Sequence, residues 1–318
     1  MRIAVLDDYQ AVALKMADWG SLPSAVEVSA YSDHVSNTDT LIERLSDFEI
    51  IICMRERTPF PGALLGKLPN LKLLITTGMA NAAIDIDAAT ALGIVVSGTS
   101  GSGDTTGELT WGLILALARS IPQEDKSARL GQWQTSLGSG LRGKTLGLLG
   151  LGRIGSQVAG YGNAFGMSVI AWSENLTHGR ATENEATLVS KAELLKNSDV
   201  VSIHLRLSER TRGLLGQQDL SLMKPTAYLV NTSRGPIVDE GALIETLKQR
   251  KIAGAALDVF DEEPLRPDHP LLSLDNTVLT PHLGYVTKES YEIMYTQAIE
   301  DIQAFIAGEP IRVLNTRE

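Results

Sequence analysis

Thr145-Leu-Gly-Leu-Leu-Gly-Leu-Gly-Arg-Ile-Gly155 is the stretch whose reading decides the fold. A short apolar run, 145–149, ends on Gly-x-Gly-x-x-Gly, and a helix-like stretch, 154–165, follows at once. Strand, glycine turn and helix in that order form the opening of a dinucleotide-binding βαβ unit. Gly150 permits the tight turn, Gly152 lets backbone approach a pyrophosphate, and Gly155 lets the helix pack closely on the strand. The helix start adds N–H groups without intrahelical partners and the positive end of the helix dipole. Glycines also serve ordinary turns, so the flanking strand and helix carry this reading.

Further apolar runs follow at 168–172, 200–203, 227–231, 255–259 and 277–279. Most are short and continuously apolar, as strands covered on both faces should be. Upstream, runs at 2–7, 26–31, 50–54, 71–77 and 94–97 alternate with helix-like stretches such as 38–45 and 82–92. That alternation reads as a second parallel-sheet module. Gly98-Thr-Ser-Gly-Ser-Gly-Asp104 is a flexible stretch suited to a domain crossing. Thr105-x-x-Glu108 reads as a capping box ahead of the apolar helix 109–118. In the last helix, 287–307, Tyr291, Tyr295, Ala298, Ile302 and Phe305 share one stripe, and Gly308 and Pro310 end it. No strand follows, so this helix is expected to return to the first module.

Composition narrows the function classes. The chain has 318 residues, more than one small core accommodates, and a net charge of −10. An acidic chain without a basic stripe is a poor partner for nucleic acid. No apolar run approaches the roughly 20 residues that span a bilayer, and the N-terminus lacks a secretory pattern. The single cysteine, Cys53, sits in Ile50-Ile-Ile-Cys53 and reads as a buried structural thiol. It offers neither a disulfide framework nor a metal cluster; a cytoplasmic protein without a metal site is expected.

Three ionisable residues fall just after successive strands: Arg234, Glu263 and His282. In open α/β sheets ligands sit outside the carboxyl ends of the strands. Arginine can hold a carboxylate bidentately, histidine can give and take a proton near neutral pH, and a carboxylate beside it can orient it. Reduction of a 2-oxo acid needs that set. The second strand of the glycine unit ends Trp172-Ser173-Glu174, where a ribose-binding acid is expected at Ser173. Serine there removes a carboxylate that would repel a 2′-phosphate, and Arg180 follows; Glu174 argues the other way. NAD is preferred and NADP stays open.

These residues resemble the D-isomer-specific 2-hydroxyacid dehydrogenase family over nearly the whole chain. Gly143-Lys-Thr-Leu-Gly-Leu-Leu-Gly-Leu-Gly-Arg-Ile-Gly155 matches its cofactor loop and Asn231-Thr-Ser-Arg-Gly-Pro-Ile-Val-Asp239 its arginine signature. Ala256-Leu-Asp-Val-Phe-Asp-Glu-Glu-Pro264 and Thr280-Pro-His-Leu-Gly284 match its glutamate and histidine segments. The resemblance implies an α/β protein of two doubly wound parallel-sheet domains. One is a Rossmann cofactor domain, 99–285; the other is a discontinuous flavodoxin-like lid or substrate domain, 1–98 plus 286–318, with the active site in the cleft. Arg234 would bind and polarise the substrate, His282 would be the acid/base and Glu263 its partner. Gly150, Gly152, Arg153, Ile154, Gly155, Ser173, His204, Thr211, Thr232, Asp258 and Gly284 would line the cofactor, Asp258 at the nicotinamide carboxamide. Thr77, Gly78 and Met79 would form a carboxylate-binding turn, Gly78 and Met79 offering backbone N–H groups, joined in binding the substrate by Arg234 and His282.

Two departures stand out. Met79-Ala-Asn replaces a common Asp-Asn after the turn, and Arg206 stands where proline is frequent. The implied activity is hydride transfer between NAD(P)(H) and a small D-2-hydroxy or 2-oxo acid, with 3-phosphoglycerate and glyoxylate or hydroxypyruvate both open. A formate- or phosphite-type dehydrogenase is a further alternative on the same fold. The rival of another class is an NAD(H)-sensing binding protein of corepressor type. A homodimer is expected, with no nucleic-acid or membrane partner. The chain ends after the returning helix, so serine feedback through an added domain is not expected.

Overall fold

The computed structural model describes residues 1–316, and the chain divides into two compact units. One is Met1–Ser102 with the chain from Val286 onward; the other is Gly103–Tyr285. The first crossing thus falls inside the 98–104 glycine stretch, a few residues after the expected end at 98. The second falls after Tyr285. The expected lid range extends to 318, and its last two residues lie outside the described ones.

In the first unit the strands are β1 (Arg2–Val5), β2 (Glu27–Ala30), β3 (Ile50–Cys53), β4 (Leu73–Thr76) and β5 (Val95–Gly98). All pair in parallel, in the order β2-β1-β3-β4-β5. Helices α1 (Thr38–Leu45), α2 (Gly62–Leu65) and α3 (Ile86–Ala91) connect them. β3 and β4 are buried at every residue, which explains their unbroken apolar sequences. Helix α3 starts later than the expected 82. Asn81 accepts the Ala83 N–H through its side chain, and Asp85 accepts that of Ala88, so the segment turns before it is capped. Cys53 is buried, and burial pushes its thiol up to about 12.

The second unit opens with α4 (Thr105–Ala118) and α5 (Ile121–Arg129), then β6 (Thr145–Leu149) and α6 (Arg153–Ala164). There follow β7 (Ser168–Trp172), α7 (His178–Glu183), β8 (Thr187–Leu188), α8 (Lys191–Asn197) and β9 (Val200–Ile203). Next come α9 (Gln217–Leu220), β10 (Tyr228–Asn231), α10 (Glu240–Lys248), β11 (Gly254–Leu257) and β12 (Thr277–Leu279). The parallel sheet runs β12-β11-β10-β9-β6-β7-β8. Strand alternation feeds two cores. Leu146, Leu148, Val200, Val230 and Ala256 pack on one face with α4 and α6, while Leu149, Val201, Leu229 and Ala255 pack on the other. Each large buried side chain contributes about 1.5–3 kcal/mol relative to exposure, so both helical layers are held firmly.

The capping box expected at Thr105 is absent. Asp104 stands at the N-cap without a side-chain cap bond, and the Thr105 hydroxyl donates to the Gly284 carbonyl instead. The last helix, α11 (Lys288–Ile306), belongs to the first unit. It buries Tyr291, Tyr295, Ala298 and Ile302, with Phe305 half-buried. Among the described residues no helix is long and apolar enough to cross a membrane.

Candidate active site

In the second unit the order of strands reverses between β6 and β9, the position where open α/β sheets bind ligands. Along the carboxyl edge, adjacent strands carry His282 (after β12), Glu263 (β11), Arg234 (β10), His204 (β9), Gly150 (β6) and Ser173 (β7). Neighbouring strands lie about 4.8 Å apart, so these residues line one continuous edge of the sheet, with the ionisable set at one end and the glycine turn toward the other.

The glycine turn fits such a group. Gly150 has φ +100°, and a Cβ there would meet the His204 carbonyl oxygen at 2.6 Å. A Cβ on Gly155 would lie 2.2 Å from the Gly150 carbonyl oxygen, so this helix-strand approach requires glycine. A Cβ on Gly152 would meet nothing within 4 Å. The space over the α6 N-terminus is therefore open to a ligand, and no side chain caps that terminus. Ile154 is half-buried in the first turn. Arg153 is exposed and folds back, its Nη1 lying 2.0 Å from where a Gly103 Cβ would sit.

Ser173 is half-buried and its carbonyl accepts the Leu176 N–H; Glu174 beside it is exposed. Arg180 is exposed and pairs with Glu183 at 3.9 Å. His204 Nε2 lies 2.9 Å from the Ser202 hydroxyl, and burial pushes the ring down to about 4, so it is neutral at physiological pH. Thr211 spends its hydroxyl on the Arg206 carbonyl at 2.6 Å, within a surface turn. The Arg206 side chain is exposed.

The ionisable set is built from strand-end loops. Asn231, the last residue of β10, donates to the Arg234 carbonyl and accepts the Ser233 N–H. Ser233 donates to the Leu205 carbonyl, tying this loop to the one after β9. The half-buried Arg234 guanidinium donates to the Ser233 carbonyl at 2.8 Å. Glu263 accepts the Phe260 N–H through Oε1 at 3.0 Å, and its Oε2 lies 2.6 Å from His282 Nδ1. His282 itself has φ +55°, a left-handed backbone rare outside glycine.

Asp258 explains how that conformation is held. Its carboxylate is fully buried and accepts from Thr280 Oγ1 (2.6 Å), Leu283 N–H (2.7 Å) and Gly284 N–H (2.9 Å). Burial pushes its pKa up, against the pull of those donors. Sequence reading placed Asp258 at the cofactor and missed that it fastens the histidine loop; three donors over 280–284 show only in the folded chain. Thr232 lies 2.8 Å from the Thr110 hydroxyl, a partner sequence alone did not suggest.

Within the first unit, the Gly78 N–H is spent on the Thr76 carbonyl at 2.9 Å. Thr77 is buried, its hydroxyl accepting the Arg55 N–H, while Met79 is 52% exposed. Arg55 was missed from sequence. Its guanidinium donates to the Thr77 carbonyl at 3.1 Å and fills the space where a Gly78 Cβ would sit.

The model of the D-isomer specific 2-hydroxyacid dehydrogenase NAD binding domain matches residues 111–284. A glyoxylate reductase from Aeropyrum pernix is 45% identical over 80% of this chain and 79% of that protein. A D-3-phosphoglycerate dehydrogenase from Methanocaldococcus jannaschii is 40% identical over 85% of this chain, which spans only 52% of that longer protein. The crystal structure of a phosphoglycerate oxidoreductase from Vibrio cholerae o395 superposes with a TM-score of 0.92 at 41% identity, covering 97% of this chain and 99% of that one. With more than half its length matched by the family model, the chain belongs to the D-isomer specific 2-hydroxyacid dehydrogenase family.

Proposed function

We propose that the chain interconverts a small 2-oxo acid and its D-2-hydroxy acid, with Arg234, Glu263 and His282 as the working set. The observation that carries this is the His282–Glu263 pair at 2.6 Å, on a loop fixed by Asp258 and one strand away from the Arg234 strand's neighbour. The nicotinamide cofactor, when bound, supplies or takes the hydride. Glu263 accepts the Nδ1 proton and so fixes the ring's tautomer, which makes Nε2 the atom that passes a proton to the carbonyl oxygen in reduction. The negative charge of Glu263 balances the imidazolium that forms in the reverse direction. Arg234 holds the acid's carboxylate and draws electron density from the carbonyl. Asp258, Thr232, His204 and Gly284 line the nicotinamide side; Gly150, Gly152, Arg153, Ile154 and Gly155 hold the pyrophosphate; Ser173 meets the adenosine ribose, and Thr211 shapes the turn beyond β9.

Within the first unit, the Thr77–Met79 turn with Arg55 over it is assigned to an acid group. NAD is the preferred cofactor, since Glu174 would repel a 2′-phosphate and Arg180 is turned to Glu183. The protein is read as a cytoplasmic homodimer. Support for the dimer is the segment after α5, where the apolar side chains of Leu130, Trp133 and Leu137 are 69%, 83% and 99% exposed. Support for the compartment is its single, buried cysteine.

A panel of 2-oxo acids, glyoxylate, hydroxypyruvate and phosphohydroxypyruvate included, assayed with NADH and NADPH in parallel, tests the reading. His282→Ala should lose orders of magnitude in turnover while still binding NADH. Unchanged turnover in that variant would overturn the assignment.

A further inference from the structure

Helix α4 touches both loops that carry the proposed catalytic groups, entirely within the second unit. At its start, the Thr105 and Thr106 hydroxyls both donate to the Gly284 carbonyl, at 2.8 and 2.9 Å. Gly284 closes the loop that holds His282, and Asp258 grips the same residue through its N–H. One turn along α4, the Thr110 hydroxyl donates to the Thr106 carbonyl at 2.7 Å and lies 2.8 Å from the Thr232 hydroxyl. Thr232 stands two residues before Arg234, in the loop that Asn231 and Ser233 organise.

Counting hydrogens fixes the direction of this chain. A hydroxyl has one proton to give. That of Thr110 is committed to Thr106, so in the shared bond Thr232 must donate. The sequence of bonds is Thr232 to Thr110, Thr110 to the Thr106 carbonyl, and the Thr106 hydroxyl to Gly284. Thr110 is fully buried and Thr232 is 7% exposed, so a lost partner there is not replaced by water without cost. Neighbouring Trp111, Leu113 and Ile114 already supply the packing of this helix. The threonines add directional bonds that apolar residues would not.

We propose that Thr105, Thr106 and Thr110 form a positioning row that sets the His282 loop and the Arg234 loop relative to each other from one rigid helix. The inference rests on the reading of Arg234 and His282 as the working pair. Thr106 is the shared member: its hydroxyl holds the histidine loop, and its carbonyl receives the bond that reaches the arginine loop. A shift of either loop is therefore resisted through the other. The same accounting limits Thr232: with its proton given to Thr110, its hydroxyl can only accept from a cofactor, so its partner there must be a donor such as a carboxamide N–H.

The test is steady-state kinetics of the full-length protein carrying Thr110→Val, which keeps the shape and removes the bonds. Turnover should fall about 10- to 100-fold, the size expected for a small misplacement of reacting groups. KM for the 2-oxo acid and the NADH dissociation constant, read by fluorescence, should stay within about threefold, and Thr110→Ser should restore most of the turnover. Unchanged turnover in Thr110→Val, a Thr110→Ser variant as slow as the valine, or a loss mirrored in melting temperature and NADH affinity would overturn the proposal. If the valine variant does not fold, Thr106→Ala removes one of the two hydroxyls on Gly284 and is read by the same criteria. His282→Ala run in parallel separates the failures. Retained turnover there rejects the underlying reading, whereas silence confined to the threonine variants rejects only the row.

Discussion

The Glu263 carboxylate joins His282 to the strand end on which Glu263 itself sits: Oε2 lies 2.6 Å from the ring Nδ1 while Oε1 accepts the Phe260 N–H at 3.0 Å. Both oxygens are in use, so the carboxylate cannot rotate without releasing either backbone or ring. Glu263→Gln removes the charge that balances an imidazolium and leaves one oxygen to serve both the ring N–H and the Phe260 N–H. Turnover should drop about 10- to 100-fold, with KM moving much less. A glutamine variant as fast as the parent would show that the charge is not used.

Gly152 and Gly155 should fail in different ways when changed to alanine. At Gly155 the new methyl would sit 2.2 Å from the Gly150 carbonyl oxygen, so backbone must move, costing about 1–3 kcal/mol. At Gly152 the methyl enters open space, so the fold survives and the loss falls on the ligand. Thermal melts and NADH titrations would separate them. Gly152→Ala should melt near the parent temperature yet bind NADH about tenfold or more weakly, a change of at least 1.4 kcal/mol. Equal NADH affinity in that variant would move the pyrophosphate away from this turn.

His204 makes acid stability predictable in sign. Burial holds it near 4 in the folded chain, against about 6.5 unfolded. Between those values the unfolded chain binds a proton that the fold refuses, so stability falls as pH drops from about 6.5 to about 4 and the penalty is absent above that window. The slope from this residue is at most about 1.4 kcal/mol per pH unit. Urea midpoints from pH 4.5 to 7.5 should therefore show a shallower acid limb for His204→Asn than for the parent. An identical limb would place the responsible groups elsewhere.

The segment after α5 offers a test of assembly. Trp133→Ser combined with Leu137→Ser removes the two most exposed large apolar side chains without touching either sheet. Light scattering after size exclusion should report a dimer for the parent and a monomer for the double variant, with far-ultraviolet dichroism unchanged. A dimer that persists in the variant would locate the contact on another surface.

Much of this was legible in the residues because the period of the apolar pattern matched a strand buried on both faces. At the glycine turn the close packing of helix on strand was legible too, since a Cβ on Gly155 would lie 2.2 Å from the Gly150 carbonyl oxygen. What escaped was local hydrogen bonding. Strand β8, Thr187–Leu188, has two residues and no apolar run to announce it. Thr105 looked like a cap because its spacing to Glu108 is right, yet its hydroxyl is drawn to Gly284, a residue far along the chain. Asn81 shortened α3 through a side chain-to-backbone bond that competes with helix and that no periodicity reveals. Arg55 gave no signal at all, since its place over Gly78 depends on two strands lying side by side.

Cys53 has a use beyond its packing. With the only thiol of the chain buried and held mostly protonated, the parent protein should be nearly silent toward maleimides under native conditions. A cysteine introduced at Leu92, which is 49% exposed and lies outside the segment assigned to the dimer, would then take up a fluorophore alone. Site-specific labelling for distance measurements requires no prior removal of native cysteine, so spectroscopy can follow this enzyme with its own core intact.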